Sequence, residues 1–256
     1  MTTSPADTAL ADTLAEFPKA SSALLAERGL QKRVDTKFIL SLDALRRTLR
    51  QIRPDYALLT AEGAASARYK TLYFDTPDYL CVREHNRGRR PRHKIRIRHY
   101  LDRQLSFLEI KNKTNADETI KARRQIRFGQ ENLGEEDRQF IDDHNPIAAT
   151  ALQPSLRTDF QRITLLGLES MERATFDLHL CFSGSKSDAG LPGAVIAEIK
   201  QDRFRARSPI MLAMRDAHVM PVSISKYCTA ASLLLPSVRM HRYATKLHSL
   251  RRVCHD

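Results

Sequence analysis

The sequence predicts an α+β fold, a closed β-barrel of about eight strands around a polar cavity with helices packed outside. Three observations lead there. Eight segments alternate polar and apolar residues with the period of two that marks a strand. Most of their polar faces carry like charges, which repel when stacked on one sheet face. The helical segments between them have apolar faces that need a surface to pack on. If the apolar strand faces meet those helices, the charged faces must look inward. An inward cluster of unpaired like charge is costly, so such a barrel implies a polyanionic ligand.

The elements follow in order. Residues 1–28, rich in Ala, Ser, Thr and Asp, are expected to be a mobile arm with one short helix. Gln31–Leu40 is the first strand, with Arg33, Asp35 and Lys37 on one face. Ser41 is placed to cap a helix that stops before Pro54. Ala67–Thr76 is a strand rich in aromatic and β-branched residues, and Pro77 opens a short helix.

Arg92–Lys113 is the centre of the pattern. Lys94, Arg96 and Arg98 alternate with Ile95 and Ile97, and Glu109, Lys111 and Lys113 alternate with Leu108 and Ile110. Tyr100–Ser106 is read as the turn. The hairpin therefore gathers five cations and one carboxylate on one face. Glu118–Phe128 follows as a strand with Lys121, Arg123, Gln125 and Arg127 on one side. After a helix broken at Asn145-Pro146, Ser155–Leu166 is a strand. The next strand carries Arg173, Thr175, Asp177 and His179 on one face. Ser183–Gly193 reads as a loop, and the strand after it groups Ile196, Glu198 and Lys200. From Pro209 onward the chain is mainly helical, ending in a basic tail at 239–256.

Composition limits the function. With 42 Lys and Arg against 30 Asp and Glu, the 256-residue chain carries +12, which points to an anionic partner. The charge is concentrated, since Arg83–Arg127 holds 15 Lys and Arg against five Asp and Glu. A defined site explains that better than a generally basic surface. Cys81, Cys181, Cys228 and Cys254 form no CxxC pair, so a reducing cytoplasm is expected rather than a zinc or disulfide scaffold. No signal peptide or membrane span is expected. The basic tail leaves room for a peripheral contact with anionic lipid or a membrane-protein partner. Nucleic acid ranks low, because the basic strand faces lack the interleaved aromatics that stack bases.

RVDTKFIL, TLYFDTPDYL, HKIRIRHY, FLEIKNK, TIKARRQI, SLRTDFQRI, RATFDLHL, AVIAEIKQD and SISKYCTAASLL stand in the order seen in the vacuolar transporter chaperone (VTC) polyphosphate polymerase domain, which the chain resembles over Gln31–Pro236. That domain belongs to the CYTH-like triphosphate tunnel metalloenzymes. The resemblance implies an antiparallel barrel tunnel over residues 29–238 that transfers the γ-phosphate of ATP to a growing polyphosphate chain, with Mn²⁺ or Mg²⁺ as cofactor. By motif, Arg96, Arg98, Lys111 and Lys200 are the expected catalytic residues. Lys37, Lys94, Lys121, Arg157, Arg173 and Lys226 are the expected phosphate ligands, and Glu198 with Asp35 the expected metal ligands. Three departures stand out. The first-strand ExExK pattern reads Arg33-Val34-Asp35-Thr36-Lys37, a basic position before Lys226 is Ser223, and no phosphate-sensing SPX domain or membrane span accompanies the domain. A tripolyphosphatase or nucleoside triphosphatase, and a non-catalytic polyphosphate-binding module, are the alternatives. His85, His93 and His99 read as solvent-facing residues of a basic region, since phosphoryl transfer needs no side-chain nucleophile.

Overall fold

The computed structural model describes residues 5–30, 32–116 and 118–254, so residues 1–4 of the expected arm, Gln31 and the last two residues of the tail lie outside it. Ten strands form one sheet: β1 (Val34–Ser41), β2 (Tyr56–Leu58), β3 (Ala67–Asp75), β4 (Arg92–Tyr100), β5 (Leu105–Lys113), β6 (Thr119–Ile126), β7 (Gln153–Gly167), β8 (Glu172–Ser183), β9 (Asp188–Leu191) and β10 (Ala194–Gln201). The eight expected strands make one continuous path, β1-β10-β8-β7-β3-β4-β5-β6, in which every pairing is antiparallel. Two short strands are additional. β2 pairs with β7, and β9 lies within the stretch expected to be a loop, paired with β8.

The path has two ends, and no strand pairing joins β1 to β6 among the described residues. The structure is therefore a curved ten-stranded antiparallel sheet with flanking helices. The curvature is strong enough for Lys37 of β1 and Lys121 of β6 to line the same cavity.

Helices cover the outer faces, which accounts for the apolar half of each alternation. In α3 (Leu42–Ile52), Leu45, Leu49 and Ile52 fall on one stripe and are fully buried, and Ser41 caps the helix by accepting from the Ala44 N–H at 3.2 Å. α3 packs with α6 (Pro209–Asp216) over the outer faces of β1, β10 and β8. Residues 5–28 are not a loose arm. They form α1 (Pro5–Ala15) and α2 (Ser22–Glu27), and Leu10, Leu14 and Phe17 are buried in that same core. Elsewhere, α4 (Leu80–Arg87) packs on β3 and β4, α5 (Glu135–His144) on β5, α7 (Lys226–Leu234) on β7, β8 and β9, and α8 (Ala244–Val253) on β1 and β10. The basic tail is held by buried Tyr243 and Leu250. No helix among the described residues is long and apolar enough to cross a membrane.

Two details turn residues away from their expected faces. At His179 (φ 51°) the β7–β8 register shifts, so His179 leaves the face of Arg173 and Asp177 and pairs with Asp7 of α1 at 3.3 Å. His85 and His99 are not solvent-facing: His99 is buried, with Nδ1 at 2.6 Å from Ser106 Oγ, and burial pushes the His85 imidazole down to about 2.

Asp75, at the end of β3, ties the sheet to two helices. Its fully buried carboxylate accepts from the backbone N–H groups of Thr76, Cys81 and Val82 at 2.9, 2.9 and 3.2 Å, and from the Tyr227 hydroxyl at 2.6 Å. It caps α4 from outside the helix, whose first residue follows Tyr79 in the left-handed region. Replacing Asp75 with Ala strands several buried donors at once, so Asp75→Ala should cost at least about 3 kcal/mol of unfolding free energy. A urea midpoint measured at unchanged m-value reads this directly, and a loss below about 1 kcal/mol would contradict the assigned role.

Candidate active site

Strand alternation places one side chain in two on the concave side of the sheet. In the β4–β5 hairpin the register sets Lys94 opposite Lys111 and Arg96 opposite Glu109, so the expected charged face is the concave one. Six other strands and the start of α7 add their own inward residues. Among the described residues, eleven Lys and Arg and four Asp and Glu line a cavity of about 390 Å³.

Three of the carboxylates are each clamped by two cations. Glu198 of β10 meets Lys37 of β1 at 2.9 Å and Lys200 at 2.6 Å, one to each oxygen. Glu109 meets Arg96 at 2.7 Å, with Arg98 at 3.7 Å. Asp177 of β8 takes both arms of Arg162 from β7, at 2.6 and 2.8 Å, and is also paired with Lys226 at the start of α7. The fourth, Asp35, is held by Arg33 at 2.9 Å. Burial alone would raise Glu109, Asp177 and Glu198, but the cations outweigh it. Glu109 and Asp177 are drawn down to about 2, and Lys200 and Lys37 hold Glu198 well below its ordinary range.

The cations left over are under the opposite stress. Burial lowers the Lys94 amine to about 7, and Lys111, Arg96 and Arg92 repel its proton further. Among the described residues it donates to Ser225 Oγ at 2.9 Å. Lys111 falls to about 8 through burial and repulsion from Lys121 and Lys37. An anion entering here meets more positive charge than the protein itself neutralises.

The structure brings ten of the expected site residues to this cavity: Asp35, Lys37, Lys94, Arg96, Arg98, Lys111, Lys121, Glu198, Lys200 and Lys226. Arg173 shares the concave face of β8 with Asp177 but is not among the cavity's lining residues, and its buried Nε has no partner. Arg157 is misplaced. It lies on the opposite face of β7, paired with Glu131 at 2.9 Å. The residue of β7 that reaches the cavity is Arg162, five positions later and so on the other face. The apolar pattern changes side along this strand. Early in β7 the buried residues are Leu156, Thr158 and Phe160, whereas Ile163 and Leu165 pack outward against the helices. Arg157 is expected from the family motif, and reading every apolar residue of β7 as outward would select the same residue. The phase of the last five residues, Arg162 to Leu166, is the signal that finds Arg162. Arg33, Tyr73 and Arg123 also line the cavity beyond the expected set.

Among the described residues no group of three or more His, Cys, Asp or Glu is placed to hold a metal ion. Glu198 and Asp35 are both inward carboxylates on adjacent strands, with Lys37 and Lys200 as their cross-strand partners. Two carboxylates are too few for a site made of protein alone. They fit a hard cation that takes its remaining oxygens from phosphates.

A second cavity of about 380 Å³ shares Asp35, Lys37, Lys94, Lys111 and Ile224 with the first and adds Arg92 and Lys113. Its far side is closed by His85 and residues 221–224. The two cavities adjoin at Lys94 of β4 and Lys111 of β5.

No curated relative matches the sequence. Among solved structures the chain is similar to a candidate adenylate cyclase from Bacillus halodurans, at 12% identity and TM-score 0.48, covering 75% of this chain and 93% of that one. It is also similar to a candidate adenylyl cyclase from Hippeastrum described as having a dominant triphosphatase activity, at 14% identity and TM-score 0.48, over 80% of this chain and 98% of that one. A third is a protein from Pyrococcus horikoshii, at 13% identity and TM-score 0.41, over 75% and 96%. The VTC domain family matches residues 32–235, which is most of the chain and all ten strands, and the protein belongs to that family.

Proposed function

We propose that the chain is a polyphosphate polymerase that moves the γ-phosphate of ATP onto the end of a polyphosphate chain. The observation that carries this reading is the cavity with eleven cations and four carboxylates, three of those carboxylates each already neutralised by two cations. The surplus positive charge suits a triphosphate and an acceptor chain together. On this reading the curled sheet is the wall of the tunnel.

The bond between Pγ and the β,γ-bridging oxygen breaks, a terminal phosphate oxygen of the acceptor bonds to Pγ, and ADP leaves. Arg96 and Arg98 are the residues best placed to meet the equatorial oxygens of the transferring group, because the guanidinium fork matches phosphate geometry. Lys111 and Lys200 add charge on either side. Lys37, Lys94, Lys121 and Lys226 hold the flanking phosphates. Arg162 takes the part that the family resemblance assigned to Arg157, and Arg173 lies at the margin. Glu198 and Asp35 would hold Mn²⁺ or Mg²⁺ together with phosphate oxygens. That ion, when bound, neutralises charge that develops on the phosphates during transfer.

Glu109, Asp177 and Glu198 are all held well below the ordinary carboxylate range, which makes them poor bases for activating water. A terminal phosphate is already ionised at neutral pH and needs no base.

Incubation with ATP, Mn²⁺ and short polyphosphate should release ADP and build a polymer resonance in ³¹P NMR. Orthophosphate without polymer would instead make the protein a hydrolase, and no turnover with tight binding would make it a binding module. Glu198→Gln should lower turnover by about a hundredfold or more. Because it removes a negative charge from between Lys37 and Lys200, it should leave polyphosphate affinity unchanged or tighter. Turnover within a few-fold of the parent protein would remove Glu198 from the metal site.

A further inference from the structure

Tyr243 lies outside the family-matched residues 32–235, in the short 3₁₀ helix His241–Tyr243 that leads into α8. It is not among the described residues that line either cavity, yet its side chain is spent on one that is. Its buried hydroxyl accepts from the Ser225 N–H at 2.9 Å, donates to the Ser225 carbonyl at 2.8 Å and meets the Thr229 hydroxyl at 2.9 Å.

Ser225 is where the chain turns into α7. Its backbone is extended (φ −141°, ψ 123°), as an N-cap requires, and its Oγ accepts from the Lys94 amine at 2.9 Å. The next residue, Lys226, pairs with Asp177. Lys94 lines both cavities and Lys226 lines the first. One partner satisfies a buried phenol. Gripping both the donor and the acceptor of a single residue does more, because it fixes the two peptide planes beside Ser225 and so the direction in which its side chain leaves the backbone.

The anchor behind Tyr243 is firm. Arg242 donates to the Arg87 carbonyl at 2.6 Å, Asn86 donates to the Arg239 carbonyl at 3.1 Å, and Leu250 of α8 is fully buried. Burial also pushes the Tyr243 phenol up, so it stays protonated where the cavity lysines titrate.

We infer that Tyr243 is a positioning residue of the candidate site: acting through Ser225, it holds the Lys94 ammonium in place for a bound phosphate. The segment after residue 235 is thereby part of the phosphate-binding unit. This rests on the proposed role of Lys94 as a phosphate ligand and deepens it by naming what holds that lysine. Lys94 is sensitive to such support because of its neighbours. Arg92 and Arg96 of its own strand, Lys111 of β5, His85 of α4 and Cys228 of α7 face it, and Lys37 and Asp35 of β1 share its cavity. Lys246 of α8 acts on His85 and Cys228 in turn. In that company the Lys94 amine is lowered to about 7, and the Ser225 oxygen, as acceptor, favours its charged form.

Tyr243→Phe keeps the ring and removes the hydroxyl. Once Ser225 is released, the Lys94 amine falls further and its charge is lost at lower pH. Calorimetry against the parent protein should therefore show tripolyphosphate binding about five- to tenfold weaker near pH 8 and within about twofold near pH 6. In a Lys94→Met background the same change should alter affinity by less than about twofold. Ser225→Ala leaves both backbone groups with Tyr243 and removes only the oxygen that meets Lys94. It should reproduce the pH-dependent loss, and it supplies the test if Tyr243→Phe does not fold. A loss of equal size at both pH values, an undiminished loss in the Lys94→Met background, or no loss would each make Tyr243 a structural residue and overturn the inference. Those outcomes leave the polymerase reading intact, whereas tripolyphosphate that does not bind the parent protein at all would overturn both.

Discussion

Like charge crowded into a partly dehydrated cavity is the constraint on which the rest of this structure depends. Alternation along β4 commits Lys94, Arg96 and Arg98 to the same side, because moving any one of them outward would bury its charge among Ile95, Ile97 and the helices. The protein answers with carboxylates set between cations. Each main clamp also joins neighbouring strands: Lys37 with Glu198 across β1 and β10, Arg96 with Glu109 across β4 and β5, Arg162 with Asp177 across β7 and β8. The clamps therefore hold the register of the curled sheet while fixing the side chains that face the cavity. They leave a surplus of cations, and burial together with repulsion from neighbouring cations lowers the Lys94 and Lys111 amines.

The helices beyond the sheet serve the same arrangement. Ser225 caps α7 and contacts Lys94, and its own N–H donates to the Tyr243 hydroxyl at 2.9 Å, next to the start of α8. The segment that reads as a solvated basic tail thus supports a residue deep in the cavity. Tyr73, which lines the cavity, stacks on Tyr227 of α7 at 4.4 Å, and Tyr227 donates to Asp75. Asp75 in turn organises α4. The TLYFDT stretch therefore links cavity wall, helix cap and outer core in consecutive residues.

Much of this was legible because a strand that faces a charged cavity on one side and a helix on the other gives a two-residue period that survives without any tertiary information. The hairpin and the Glu198–Lys200 pair are of that kind. Arg157 and Arg162 show where the period becomes ambiguous: β7 changes the side on which it buries apolar residues, and only the neighbouring strands say which side is the cavity. Tyr100 was read as part of a turn because nothing in the local sequence shows that β4 continues through it. Leu10, Leu14 and Phe17 have helical spacing, but the Ala- and Ser-rich surroundings hide how tightly they pack. Whether β1 meets β6 depends on curvature accumulated over eight strands, and no local pattern encodes that.

The central claim is that the cavity is incomplete in charge without a polyphosphate. Thermal unfolding in rising tripolyphosphate, compared with sulfate at matched ionic strength, tests it most directly. At about a hundredfold excess over the dissociation constant, specific binding should raise the midpoint by roughly 5–10 °C beyond sulfate. A shift no larger than that produced by sulfate would contradict the account.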